Sequence, residues 1–251
     1  MGWDHTWLAA RTRYVLPDRL LIETVVFLHI TVPQGPSWRA EQERQVMGQL
    51  TKGIYRITQI PALHGMLQHG LARPNSRERL VNEIILPTPG AAVLDLGCGA
   101  GEVMPLLDAG EYIGVDVNPA HIAAAKHKYP EADFRTSDAI SFVETVDKTF
   151  DLITMIGLLH HLDDDKVRRV MRGAKRILKP NGKVVAFDVG FEPRQNPIAY
   201  VLAKLDSGRN VRTLDGFLDL EREVFPSASG YLRHDLLRVP YTHVITICQN
   251  S

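Results

Sequence analysis

Val93-Leu94-Asp95-Leu96-Gly97-Cys98-Gly99-Ala100-Gly101 decides the fold of this chain. The apolar run Ala91–Leu96 ends in three glycines at alternate positions. Such a run reads as a buried strand, and the glycines read as a tight turn. Glycine lets the chain turn sharply and lets a ligand approach bare backbone. A helix is expected next, over Glu102–Asp108, with unpaired N–H groups and a positive dipole end at the turn. The dinucleotide fingerprint requires Gly-x-Gly-x-x-Gly. Here the third glycine comes one residue early, and Glu102 stands where a nicotinamide enzyme carries it. A carboxylate there would repel a pyrophosphate.

Working outward, strand and helix alternate. Strands are expected at Ala91–Leu96, Tyr112–Asp116, Asp133–Thr136, Leu152–Ile156 and Val184–Asp188. Helices fit at Pro119–Tyr129, Ala139–Thr145 and Asp164–Leu178. This alternation implies parallel strands with crossover helices on both faces. A helical stretch over Asn196–Phe225 then precedes two strands, Tyr231–Leu237 and His243–Cys248. So few residues join those two strands that they must be antiparallel. The expected fold is α/β: a seven-stranded, mostly parallel, doubly wound sheet with an antiparallel C-terminal hairpin strand. An N-terminal helical extension precedes it.

The domain organisation follows. Residues 1–46 hold all three tryptophans and a Pro33-Gln34-Gly35-Pro36 breaker, and read as an extension without clean strand–helix alternation. Residues 47–251 read as one domain. Within it, 47–88 is a helical cap, 91–189 a ligand-binding core, and 190–251 substrate-side helices with the terminal hairpin.

Composition excludes several classes. Hydrophobic residues make up 45% of 251, enough for a sizeable core. Lys plus Arg equal Asp plus Glu at 29 each, so no strong field is available for a nucleic-acid backbone and none is expected as partner. The two cysteines, Cys98 and Cys248, make neither a disulfide framework nor a zinc pattern. The best candidate membrane span, Leu20–Val32, contains Glu23 and His29 and falls short of the about 20 apolar residues required. It also makes a poor signal peptide, so a cytoplasmic location is expected.

The run Asp95-x-Gly97-x-Gly99-x-Gly101 resembles motif I of the class I S-adenosylmethionine-dependent methyltransferases. Further features agree. Asp116 ends the second strand, about 20 residues beyond the glycine turn, where an acidic side chain can accept hydrogen bonds from both ribose hydroxyls. Asn118 before Pro119 is the better helix cap, which leaves Asp116 for the ligand. Ile156-Gly157-Leu158-Leu159-His160-His161-Leu162 resembles motif IV of the small-molecule members, and Leu178-Lys179-Pro180-Asn181-Gly182 the turn before their fifth strand.

The resemblance implies S-adenosyl-L-methionine as cofactor. It implies a site built from Asp95, Gly97, Cys98, Gly99, Gly101, Asp116, Val117, Asp138, Ala139, Gly157 and Leu158. Asp138 would meet the adenine amine, although it is also well placed as an N-cap. His160 or His161 would face the reacting centre, where an imidazole could take a proton from the acceptor. No metal is expected, because adjacent histidines diverge and Asp163-Asp164-Asp165 reads as a helix start. Acceptor choice is assigned to Tyr55, Arg56 and His64, and to the polar stretch with Arg194, Gln195, Asp206, Arg209, Asn210 and Arg212. The expected activity is methyl transfer to a small-molecule or lipid-like acceptor. The alternative is a cofactor-binding partner protein without transfer.

Overall fold

The computed structural model describes residues 4–15, 21–32, 72–206 and 208–250. Two units compose it. The first contains an antiparallel hairpin, β1 (Asp4–Val15) with β2 (Leu21–Val32), in register from Asp4 opposite Val32 to Val15 opposite Leu21. Residues 1–46, which show no clean strand–helix alternation in sequence, thus contain two regular strands. Ile22, Thr24, Val25, Val26, Ile30, Thr31 and Val32 are β-branched, and that preference decides the matter for β2. The helical reading of 47–71, with Tyr55, Arg56 and His64, lies outside the described residues.

The second unit is a sheet in the order β5-β4-β3-β6-β7-β10-β9. Its strands are β3 (Ala92–Leu96), β4 (Glu111–Asp116), β5 (Asp133–Thr136), β6 (Phe150–Ile156), β7 (Leu178–Phe191), β9 (Ser229–Arg233) and β10 (His243–Gln249). A two-residue strand, β8 (Arg212–Thr213), pairs beside the end of β7. Strands β3 to β7 are parallel, and β10 runs antiparallel to both β7 and β9. The mixed sheet with an antiparallel C-terminal strand is the expected one.

Every residue of β3 is buried, as a strand covered on both faces requires. Alternate side chains feed two cores. Leu94 and Leu96 join a cluster with Val167, Val170, Met171, Phe217 and Phe225. Val93 joins Leu80, Val81, Ile84, Ile85 and Ile245 on the opposite face. Six helical segments cover these faces: α1 (Ser76–Arg79, continued by a π-turn at Leu80–Ile85), α2 (Pro119–Lys128), α3 (Ala139–Thr145), α4 (Asp164–Ile177), α5 (Pro197–Leu205) and α6 (Leu214–Arg222).

Four expectations are corrected. The helix expected at Glu102–Asp108 is only a 3-10 turn, Met104–Leu106. Pro105 would fall inside that helix, where it lacks an N–H and clashes with the preceding turn. The glycine turn therefore has no helix dipole behind it.

The Asn196–Phe225 stretch is two helices, not one. Asp206 accepts the Gly208 N–H at 2.9 Å, and Thr213 caps α6 by accepting from Gly216 N. The segment between them returns to pair with β7.

Strand β7 begins at Leu178 rather than Val184. Leu178 leaves α4 to pair with Phe150, and the register shifts before Lys183 meets Leu152. The Lys-Pro-Asn-Gly turn is accommodated as this irregularity. Strand β9 stops at Arg233 instead of Leu237, because the following residues bind elsewhere: Arg73 N donates to Leu236 O at 3.1 Å, and Ala72 bridges Leu237.

Candidate active site

The chain leaves β3 for β4 and β5 on one side, then returns to β6 and β7 on the other. The crevice beyond the carboxyl ends of β3 and β6 is thus the switch point of the sheet, where open α/β sheets bind ligands. Gly97, Gly99, Gly101 and Gly157 all stand there at positive φ, from 55° to 78°. The turn is tied down by its neighbour, since Gly97 N and Cys98 N both donate to Val115 O, at 2.8 and 3.0 Å. Gly101 is also close-packed: a Cβ there would lie 2.7 Å from the Phe134 ring. Gly99 is the contrast, with open space where its Cβ would stand, so its backbone faces the crevice.

Asp116 meets this turn from the end of β4. One carboxylate oxygen accepts the Gly99 N–H at 3.0 Å, and the other accepts the Asn118 N–H at 2.7 Å. Asn118 itself caps α2, accepting from Ala120 N at 2.9 Å. Asn118 rather than Asp116 thus caps α2, and while Oδ1 also lies 3.4 Å from His121 Nδ1, Oδ2 keeps a lone pair beside its bond from Gly99 N. Beside it Val117 is 70% exposed, an apolar side chain left uncovered at a strand end. Asp138 caps α3 through one oxygen, which accepts from Ile140 N and Ser141 N, both at 3.0 Å. Ala139 begins the helix behind it.

Asp95 points the other way. It is buried, and its two oxygens accept from Tyr112 Oη at 3.0 Å and Thr154 Oγ1 at 2.8 Å. Burial pushes its carboxyl up to about 6, against those two hydrogen bonds. It braces β3 against β4 and β6 below the turn. Burial likewise pushes the Cys98 thiol up, with Asp95 and Asp116 adding to the effect.

On the β6 side, Gly157 N donates to Phe187 O at 2.7 Å. The Leu158 side chain stands 3.5 Å from where a Gly97 Cβ would be, so the two strand ends meet across the switch point. His160 follows, buried between two carboxylates. Its Nδ1 pairs with Asp188 Oδ1, and its Nε2 lies 3.1 Å from Asp206 Oδ1. Asp188 also accepts the backbone N–H groups of Leu159 and His160, at 3.2 and 3.1 Å. Gly208 closes over the ring so tightly that a Cβ there would overlap it. His161 is exposed, its ring centroid 4.0 Å from that of His160 with the planes tilted by 41°.

Burial alone would lower the His160 pKa, but Asp188 and Asp206 outweigh it and hold the ring charged to about 9. The pairing with His160 in turn holds the half-buried Asp206 carboxyl below its usual range, against desolvation.

A raised histidine stabilises the fold fully below its unfolded value, about 6.5, and loses that contribution as pH rises through about 9. The unfolding free energy from urea titrations should therefore fall between pH 6.5 and 9 by an amount on the order of 3 kcal/mol. The same titration of His160→Gln should be nearly flat across that window. Parallel curves for the two proteins would remove His160 as the source.

The sequence-predicted residues thus gather at one edge, with Asp95 beneath it. Sequence reasoning missed Asp188, although a lone aspartate ending the apolar run Val184–Phe187 was a usable signal. It placed Arg212 with the acceptor. The guanidinium instead serves the fold, bonding Leu159 O, Leu162 O, Asn210 O and the Asp164 carboxylate. Asp163 caps α4, as its position before the helix suggested.

Residues 93–182 match the sequence model of the methyltransferase domain family, a span that holds the glycine turn, Asp116, Asp138 and His160. This segment is a class I methyltransferase domain of the S-adenosylmethionine-dependent kind. Among curated proteins, the chain is 32% identical over 149 residues to a ubiquinone biosynthesis O-methyltransferase of Pseudomonas putida, covering 56% of this chain and 61% of that protein. A Pseudomonas aeruginosa protein of the same name is 30% identical over 149 residues, with the same shares covered. The chain thus spans about three fifths of the length of these relatives.

Solved methyltransferase structures share the fold. A SAM-dependent methyltransferase from Archaeoglobus fulgidus superposes with a TM-score of 0.61 at 17% identity, covering 74% of this chain and 99% of that one. The mitomycin 7-O-methyltransferase MmcR gives 0.55 at 18%, covering 81% and 60%. No helix among the described residues is long and apolar enough to cross a membrane.

Proposed function

We propose that this chain transfers the methyl group of S-adenosylmethionine to a hydroxyl of a small-molecule or lipid-like acceptor. The observation that carries this reading is the pairing of the open glycine turn with Asp116, Gly99 N to Asp116 Oδ2 at 3.0 Å, at the switch point of the sheet. The residues present fit the cofactor. Asp116 would hold the ribose hydroxyls, Val117 would lie against the adenine, and the free oxygen of Asp138 would accept from its amine. Gly97 to Gly101, with Gly157 and Leu158, would line the methionyl end. The missing helix behind the turn agrees with a ligand that has no pyrophosphate to bind.

When bound, the cofactor supplies a methyl group on a positively charged sulfur. What the chain must add is orientation of the acceptor and exclusion of water, and orientation alone can lower a barrier by roughly 7–11 kcal/mol. His160 has both ring nitrogens engaged by carboxylates, so in this reading it is a fixed charge that holds Asp188 and Asp206 in place. In this reading the exposed His161 takes the proton from the acceptor hydroxyl. The O-methyl acceptor is supported by the names of the curated relatives.

The test is transfer of label from methyl-labelled S-adenosylmethionine to a panel of phenols and catechols, with release of S-adenosylhomocysteine followed in parallel. Labelled methyl ether is the expected product. Tight cofactor binding with no transfer to any hydroxyl would leave the chain a cofactor-binding partner protein.

A further inference from the structure

Two cavities adjoin at the edge of the methyltransferase domain. One, of about 380 Å³, lies between the end of β7 and the β9–β10 connection, with Leu237, Val239 and Pro240 among its walls. The other, of about 530 Å³, lies against Glu102, Pro105 and Leu106, just past the glycine turn. Arg73 and Arg238 line both, and so stand where the two meet.

The charge at that junction is unbalanced. Arg79 and Arg233 are neutralised, since each pairs with both Glu83 and Asp235. Arg77 lies 3.4 Å from Glu102. Arg73 and Arg238 have no ion pair among the described residues, and the one carboxylate of the second cavity that also has none, Glu78, is outnumbered by them. Arg73 is held in place by donating from Nε to Leu237 O at 2.9 Å, which leaves its terminal nitrogens for a ligand. One acid lines the first cavity, Glu192, whose Oε1 meets His234 Nε2 at 2.8 Å and Thr242 Oγ1 at 2.9 Å, and the two arginines outnumber it.

We propose that the acceptor is an anion, and that Arg73 and Arg238 hold its carboxylate or equivalent acidic group while its apolar body lies against Leu237, Val239 and Pro240. This rests on the methyl-transfer reading for the word acceptor, though not for the anion site itself. Guanidinium groups match carboxylates in charge and in planar, two-pronged geometry, and Arg73 and Arg238 are both exposed, within reach of a ligand arriving from solvent. The arginines at positions 194, 209 and 212 do not form this site. Arg212 is consumed by carbonyls and Asp164, and neither Arg194 nor Arg209 lines these cavities.

The experiment compares two probes by calorimetry, protocatechuate (a catechol with a ring carboxylate) and methylcatechol (its neutral counterpart). Each is titrated into wild type, Arg73→Gln and Arg238→Gln, with and without saturating S-adenosylhomocysteine. Wild type should prefer protocatechuate by about tenfold or more, which is about 1.4 kcal/mol. Either variant should cut that preference to about threefold or less while keeping its affinity for S-adenosylhomocysteine. Equal binding of the two catechols, or a preference that survives both substitutions, overturns the proposal. So does a selective loss of S-adenosylhomocysteine binding in the variants, which would assign the arginines to the cofactor's own carboxylate. If wild type binds no S-adenosylhomocysteine yet keeps an arginine-dependent carboxylate preference, the methyl-transfer reading falls and the anion site stands.

Discussion

Replacing Asp116 by alanine should weaken S-adenosylhomocysteine binding by about 100-fold, with little change in fold. The carboxylate reaches the open glycine turn, accepting from Gly99 N at 3.0 Å and Asn118 N at 2.7 Å. Hydrogen bonds to a charged group contribute about 1.5–3 kcal/mol each, and two ribose hydroxyls would be orphaned together. The two backbone N–H groups lie at a partly open strand end, where water can replace the lost acceptor. Circular dichroism and the urea midpoint should therefore stay close to wild type. Asp116→Asn keeps one carbonyl oxygen and should fall between. An alanine variant that binds as tightly as wild type would move the ribose away from β4.

The second large effect is on stability. Asp188→Ala should cost about 3–5 kcal/mol, the range for removing one partner of a buried ion pair. Three donors depend on this carboxylate: the His160 ring and the backbone N–H groups of Leu159 and His160. No water can readily replace it, because Asp188 is only 2% exposed. Part of the cost should be relieved at high pH, where His160 can lose its proton. Urea unfolding at neutral pH and near pH 10 would measure both numbers. A loss under about 1 kcal/mol would mean that the His160 cluster is not the fixed strut its geometry suggests.

These two residues show where sequence reasoning reaches. Asp116 was legible because a local rule places it: a strand end, a fixed distance from a glycine turn, and a better cap two residues later. The core strands were legible for a similar reason, since strands buried on both faces read as continuous apolar runs. Asp133–Thr136 and Ala139–Thr145 have the boundaries their patterns gave.

What escaped depends on partners distant in the chain. Asp206 meets His160 because the chain around Asp206 and Gly208 packs against that ring, and no period in the sequence encodes that return. Arg212 reads as a surface charge until the carbonyls of Leu159 and Leu162 are placed around it. Strand β9 ends early because the chain around Ala72 and Arg73 competes for its partners. The helix after the glycine turn failed for a local reason, Pro105, whose position inside the expected helix was already a warning.

In this reading the glycine turn and Asp116 bind S-adenosylmethionine and not a dinucleotide. Calorimetric titration of the wild-type chain with S-adenosylhomocysteine, beside a titration with NAD, tests it most directly. Micromolar binding of the first with no heat from the second is the predicted result. Binding of NAD, or of neither, would mean that the glycine turn is not an S-adenosylmethionine site.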